Sequence, residues 1–312
     1  MVTDGIVFVT DKPWRHSIRL CGRGLTHANI LAVTPSIFGI CMSEHEPALS
    51  AAREDIVLTE EGHVRIVEIA RPPNNFFDID LIHTLADIFD EIDEDPQARA
   101  IVLASRGKHF CAGNNFGTAA AKATHPRAVE LAGEFSPLYA GAVRLFNNKK
   151  PIVGAIQGAA VGGGFGLALL PDFRVVAPEA RFTANFVKLG FHPGFGLTHT
   201  LPRLIGAQKA SLLFQTGRRI NGEQALAMGI ADVLTEADAL RSEAVMLASE
   251  IAENAPLAVQ SVRATLRADL AQAVKQQTDH ENAEQAWLAK TSDHKEGVKA
   301  VAERRPGNFT AS

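Results

Sequence analysis

The stretch AAVGGGFGLALLPD, residues 159–172, decides how this chain is read. Three consecutive glycines, Gly162 to Gly164, separate an apolar run from an apolar segment of helical character. Glycine is the residue that lets a backbone come close to a ligand or adopt a turn closed to other residues. No side chain fit for acid–base work follows until Asp172. The stretch therefore reads as a binding turn with no chemical group beside it.

Outward from it, PIVGAI (151–156) reads as a buried strand and DFRVVA (172–177) as another. The window 152–170 lacks any charged residue and approaches the ~20 apolar residues that cross a bilayer. Gly154, Gln157, Gly158 and the triplet interrupt it, so the spacing predicts a buried strand–turn–helix and no membrane span. Upstream, RAIVLASR (99–106) is a short apolar strand, followed by the loop GKHFCAGNNFG. HVRIVEIA (63–70) alternates like a half-buried strand. In 79–95, Leu81, Leu85, Ile88, Phe89 and Ile92 share a helical face, with Asp78 or Asp80 as cap. Pro126 opens a second helix running to about Asn147. Strands alternating with helices predict an α/β core over 56–235. From Glu236 onward the pattern is helical, at about 236–253, 256–272, 274–290 and 293–303. Residues 1–55 show little periodicity and read as a loosely ordered extension without a secretory signal, and Met42 is a plausible alternative start.

Composition narrows the classes. The 312 residues are 46% hydrophobic and 21% charged, enough for a packed core. A net charge of -4, with only short basic pairs, argues against a nucleic-acid partner. Cys21, Cys41 and Cys111 are odd in number and far apart, which fits a reduced, cytoplasmic setting and neither a disulfide frame nor a metal site. Cys111 reads as a buried, inert thiol. The G-x-G-x-x-G, P-loop, H-E-x-x-H and G-x-S-x-G motifs are all missing. What remains is a pair of glycine turns, FCAGNN and GAAVGGG, each after an apolar strand. Two backbone N–H groups aimed at one carbonyl oxygen make an oxyanion hole.

These pieces resemble the enoyl-CoA hydratase/isomerase family, the crotonase superfamily. The matching stretches are RPPNNFFD, HFCAGNNF, PIVGAIQGAAVGGGFGLALLPDFRVVAPEARF, LGFHPGFGLTHTLPRLIGAQKA, FQTGRRINGEQALAMGIAD and SDHKEGVKAVAERRPGNF, in order over roughly 56–309. The resemblance implies a spiral of ββα units and, over 236–312, a helical trimerisation region giving a homotrimer or a dimer of trimers. It implies an acyl-CoA thioester ligand from fatty or aromatic acid metabolism, with coenzyme A part of the substrate and no separate cofactor or metal. Carried over by position, the oxyanion donors are the N–H groups of Ala112 and Gly163. Gly113, Asn114 and Asn115 line the coenzyme A site, Gly162, Gly166 and Phe186 are further substrate-site candidates, and Tyr139 lies on the helix that covers the acyl pocket, where packing is its more ordinary role. Family members usually carry Asp where Asn115 stands.

The departures concern the acids. The two positions where hydratases place glutamates hold Gly166 and Phe186, and the aspartate position of some isomerases and a dehalogenase holds Gly194. Hydration needs a base for water and an acid for the α-carbon, so simple hydratase activity is not expected. His192 is the candidate replacement base, with Thr183, Asn185 and Lys188 as weaker polar candidates. His109 and His125 are expected to face solvent. Two readings stay open: an enzyme of isomerase, hydrolase, carbon–carbon lyase or dehalogenase type, and a non-catalytic acyl-CoA binder. Phe186, with Phe182, Phe191 and Phe195 nearby, hints at an aromatic or alicyclic acyl group.

Overall fold

The computed structural model describes residues 54–114, 125–130 and 136–312. The extension up to residue 53 and Asn115 lie outside them. A hairpin, β1 (Ile56–Glu61) and β2 (Val64–Ile69), leads into α1 (Ile79–Glu94) and β3 (Ala100–Ser105). Next come the short α2 (Pro126–Glu130), α3 (Pro137–Phe146), β4 (Ile152–Ile156), β5 (Ala159–Val161) and α4 (Gly163–Ala168). β6 (Phe173–Val176), β7 (Arg181–Thr183) and a 3₁₀ turn (Asn185–Leu189) precede α5 (Leu197–Ile205) and α6 (Ala207–Thr216). Then follow β8 (Arg219–Asn221), α7 (Gly222–Met228) and β9 (Val233–Leu234).

Two sheets result. The larger runs β1-β2-β3-β4-β6-β9 and the smaller β5-β7-β8. Each consecutive strand pair, β4 with β5 and β6 with β7, gives its first strand to the large sheet and its second to the small one. All pairings in the large sheet are parallel except β1 with β2. The chain thus winds as repeated strand–strand–helix steps, as the resemblance implied.

The large sheet is covered on both faces, which explains its near-continuous apolar strands. Val64, Ile66, Ala100, Val102, Val153 and Val175 meet α8 (Leu240–Ala252) through Leu240, Ala244 and Ala248. Val67, Ile69, Ile101, Leu103 and Ile156 join the main core beneath α1 and α3. β2 departs from its expected half-burial, because every one of its residues is buried. Its charged members are neutralised in place: Arg65 bonds Asp95 at 2.7 Å, and Glu68 meets Arg106 and Arg241. Asp78 caps α1, its Oδ1 accepting from Leu81 N at 2.8 Å.

The C-terminal helices are α8, α9 (Pro256–Leu266), α10 (Leu270–Leu288) and α11 (Ser292–Ala302), close to their expected bounds. α10 is anchored by Glu281, fully buried, which accepts from Gly196 N, Thr198 N and Thr198 Oγ1. Among the described residues no helix is long and apolar enough to cross a membrane.

Candidate functional site

Parallel pairing of two chain segments brings the glycine turns together. Phe110 N donates to Gln157 O and Cys111 N to Ala159 O, both at 2.9 Å, and Val161 N returns a bond to Cys111 O at 3.1 Å. Gly113 follows the first segment and Gly162 the second, each with a left-handed φ, of 89° and 58°. A Cβ on Gly113 would lie 2.6 Å from Val161 O and 3.8 Å from Gly163 N. One on Gly164 would lie 2.2 Å from Cys111 O. Only glycine permits this contact of backbones.

The two expected donors are not equivalent. Gly163 opens α4, where the first N–H groups have no intrahelical acceptor. Among the described residues none is in hydrogen-bonding position to its N–H. Ala112 N, by contrast, donates to Asn74 O at 3.0 Å. The pair as it stands offers one free donor, and the second is held by the turn 71–78. That turn is fixed by Asn75, whose amide donates to Arg106 O at 2.8 Å and His109 O at 2.6 Å. Asn74, Asn75 and Phe77 are site residues that the glycine pattern alone does not reveal, although RPPNNFFD carries them.

The wall around Gly163 is aromatic. A Cβ there would fall 2.4 Å from Phe77 Cζ, and one on Gly162 would sit 3.7 Å from both Phe186 Cζ and Asn185 Oδ1. A Cβ on Gly166 would lie 2.7 Å from Phe195 Cβ. Phe195 is buried, adopts a φ of 64° and stands 5.6 Å from the Phe77 ring. Phe186 and Gly166 therefore do gather beside the glycine turn. Asn185 is the nearest polar side chain to Gly162, and Thr183 Oγ1 is buried without a partner.

The remaining candidates are engaged elsewhere. His192 Nδ1 meets Pro193 O at 2.8 Å, and its ring stands edge-on to His280. None of these contacts reaches the glycine turns. Tyr139 is buried and donates to Gln285 Oε1 at 2.7 Å; Gln285 Nε2 in turn donates to His192 O at 2.9 Å. Burial raises the phenol well above its ordinary value, with the Glu281 charge adding to the effect. A Cβ on Gly194 would come within 2.2 Å of Tyr139 Oη, so that position has no room for a side chain. Tyr139 thus acts as a clamp on the 192–195 turn. Gly113 is buried beside Val161, while Asn114 is exposed and bridges to Phe77.

His109 and His125, expected to face solvent, are only partly exposed. His109 Nδ1 accepts from Ala159 N at 3.1 Å, and His125 Nε2 bonds Asp87 at 3.0 Å. Cys111 is fully buried, and desolvation pushes its thiol up to about 12, as suits an inert group. Among the described residues no three His, Cys, Asp or Glu side chains gather as a metal site.

Comparison with known proteins adds a family. The model described as enoyl-CoA hydratase/isomerase matches residues 59–312. A carnitinyl-CoA dehydratase of Proteus mirabilis is 35% identical over 216 residues, 69% of this chain and 81% of that protein. A crotonyl-CoA hydratase of Syntrophomonas wolfei is 31% identical over 261 residues, 83% of this chain and 98% of that one. The crystal structure of a carnitinyl-CoA hydratase from Mycobacterium avium superposes with a TM-score of 0.72 at 28% identity, covering 83% of this chain and all of that one.

Proposed function

Since this chain belongs to the enoyl-CoA hydratase/isomerase family, we propose that it binds an acyl-CoA thioester and stabilises the enolate of that ester without the usual pair of carboxylates. The Gly163 N–H polarises the thioester carbonyl. Ala112 N–H joins it when the substrate oxygen displaces Asn74 O. Such a donor is typically worth about 3–4 kcal/mol in the transition state. Phe77, Phe186 and Phe195 exclude water from the carbonyl and suit a flat or cyclic acyl group.

The observation that carries this reading is the packing at position 166. Phe195 occupies the space that a side chain there would need, and Phe186 stands by Gly162 in place of an acid. The names of the relatives speak for hydration and dehydration, but Gly166 and Phe186 supply neither a base for water nor an acid for carbon. Isomerisation, thioester hydrolysis, carbon–carbon cleavage or dehalogenation, with His192 as base, makes fewer demands on the missing groups. For this, the 192–195 turn must swing His192 away from Pro193 O. The inward commitment of Tyr139 and the present contacts of His192 favour a second reading, a binder of acyl-CoA esters without turnover.

Both readings require the Gly163 donor. A proline there deletes the N–H, and the first helical position tolerates proline, but its ring meets Phe77. Phe77→Ala makes room, so the comparison is Phe77→Ala against Phe77→Ala with Gly163→Pro. A thermal-shift titration with butyryl-CoA should show binding in the first and at least tenfold weaker binding, on the order of one lost charge-bearing hydrogen bond, in the second. Equal affinity would place the carbonyl elsewhere.

A further inference from the structure

A hollow of about 270 Å³ opens on the far side of the segment that leads into the glycine triplet. Its walls are Lys108, His109, Ala159, Val161, Arg181 and Arg219. Four of the six are basic, two are apolar, and no carboxylate lines it. Strand register explains the gathering. Ala159 pairs with Arg181, Val161 with Thr183, and Thr183 with Arg219, so these side chains share one face of the small sheet. The bonds of Phe110 and Cys111 to β5 bring Lys108 and His109 alongside.

Among the described residues no carboxylate lies within ion-pair distance of Lys108, Arg181 or Arg219, whereas Arg65, Arg144, Arg263 and Arg305 all have one. Arg181 Nε is buried with no hydrogen-bond partner. An unpaired, half-buried guanidinium is costly unless a ligand completes it. The local field is positive enough that Arg181 and Lys108, after burial itself, hold the His109 imidazolium below its ordinary range.

A second hollow of about 470 Å³ adjoins, sharing Lys108 and Arg181. It is bounded by Ser105 and Gln157, at the carboxyl ends of β3 and β4. Ser105 is buried and its Oγ has no partner. The carboxyl edge of a parallel sheet is where α/β proteins most often receive ligands. Two carboxylates also line this second hollow: Glu68 is already satisfied by Arg106 and Arg241, and Glu179 lies outside ion-pair distance of Lys108 and Arg181, so the shared wall keeps both basic side chains.

We propose that this cleft, walled by Lys108, Arg181 and Arg219, binds a phosphate-bearing small molecule. A tetrahedral dianion matches the arginine forks and takes a point charge from lysine. The phosphate comes either from the nucleotide end of a coenzyme A ester, in which case the cleft rests on the function proposed above, or from a separate phosphorylated metabolite. Val161 lines the cleft while its carbonyl touches the Gly113 turn, so occupancy would be felt at the glycine turns.

The test uses the full chain and inorganic phosphate, which needs no thioester site. Melting is followed against phosphate and against chloride at matched ionic strength. A saturable rise specific to phosphate is expected. Lys108 and Arg219 are exposed, so Lys108→Gln with Arg219→Gln should fold normally and shift the phosphate midpoint roughly tenfold or more; Arg181→Gln should abolish the response. A parallel titration compares butyryl-CoA with its 3′-dephospho form. If the double variant weakens only the phosphorylated ester, the phosphate is that of coenzyme A; if it spares both esters, the ligand is a separate metabolite. No phosphate-specific shift, or variants that respond like the parent, would overturn the site. So would variants that dissociate in light scattering, since the cations would then be paired across a subunit contact.

Discussion

A methyl group at position 166 would meet the Phe195 side chain at 2.7 Å. Gly166→Ala should therefore destabilise the fold by about 1–2 kcal/mol in chemical denaturation, overpacking outweighing the better helix propensity of alanine. The double variant Gly166→Ala with Phe195→Ala should recover less than the sum of its parts suggests, because the two sites touch. An unchanged midpoint for Gly166→Ala would mean that Phe195 yields easily and that the acid position is merely vacant, not filled. Gly166, Phe186 and Gly194, the positions the resemblance assigns to acids, are legible in the sequence as residue types. What fills them is not. A phenylalanine at φ of 64° is a conformation that local sequence rarely prescribes, and it is imposed here by the Phe77 contact and by Glu281 holding the next residue's N–H. The Asn74 carbonyl on Ala112 N was hidden for the same reason, being a bond between residues far apart in the chain.

At the scale of elements, α1 and α3 are joined by a histidine that the fold keeps neutral. His83 is fully buried, its Nε2 2.8 Å from Pro137 O, and its ring stacks on His125 at 5.0 Å. Burial is the main cause of its lowered pKa. His125 and Arg144 lower it further, against the Pro137 carbonyl and Asp87. The unfolded chain takes up a proton at His83 near its ordinary value of about 6.5, and the native one resists. Stability should therefore be unaffected by this group above that pH and decline as pH falls below it. His83→Gln should flatten the fall in urea midpoint between pH 7 and pH 5, and an identical fall would show that His83 is protonated without penalty. Most elements were legible from periodicity: α1 with its Asp78 cap, β3, β4, β6 and the four C-terminal helices. β2 was misjudged because Arg65 and Glu68 look like a solvent face, when each is paired inside. The three-residue β5 was missed because Ala159 to Val161 reads as part of one apolar run. The strand exists through its pairing with β7 and the bridge to Cys111.

For the whole molecule, α9 turns outward Leu257, Val262 and Leu266, 79%, 60% and 68% exposed. A groove of about 910 Å³ beside it is lined by Phe173, Leu204, Val262 and Leu266. Asp172, Arg203, Arg263 and Arg267 share the lining with these apolar side chains, and an exposed apolar face of this kind suits contact with another copy, in line with the trimer or dimer of trimers proposed from the resemblance. Light scattering should give such a mass for the parent and a smaller species for Val262→Asp with Leu266→Asp; a parent that is monomeric at micromolar concentration would refute it. Removing everything after Ala248 is a blunter test, since it cuts α8, which fills one face of the large sheet. The chemistry proposed for this chain is that its glycine turns polarise a thioester without the acid–base side chains that hydration needs. Losing two general acid–base groups costs about 10²–10⁴-fold each. Crotonyl-CoA consumption by the purified protein, followed through the ultraviolet absorbance of its conjugated thioester, tests this most directly. The account predicts a loss no faster than a small fraction of ordinary enzymatic turnover, and a kcat/KM of about 10⁴ M⁻¹s⁻¹ or more would contradict it.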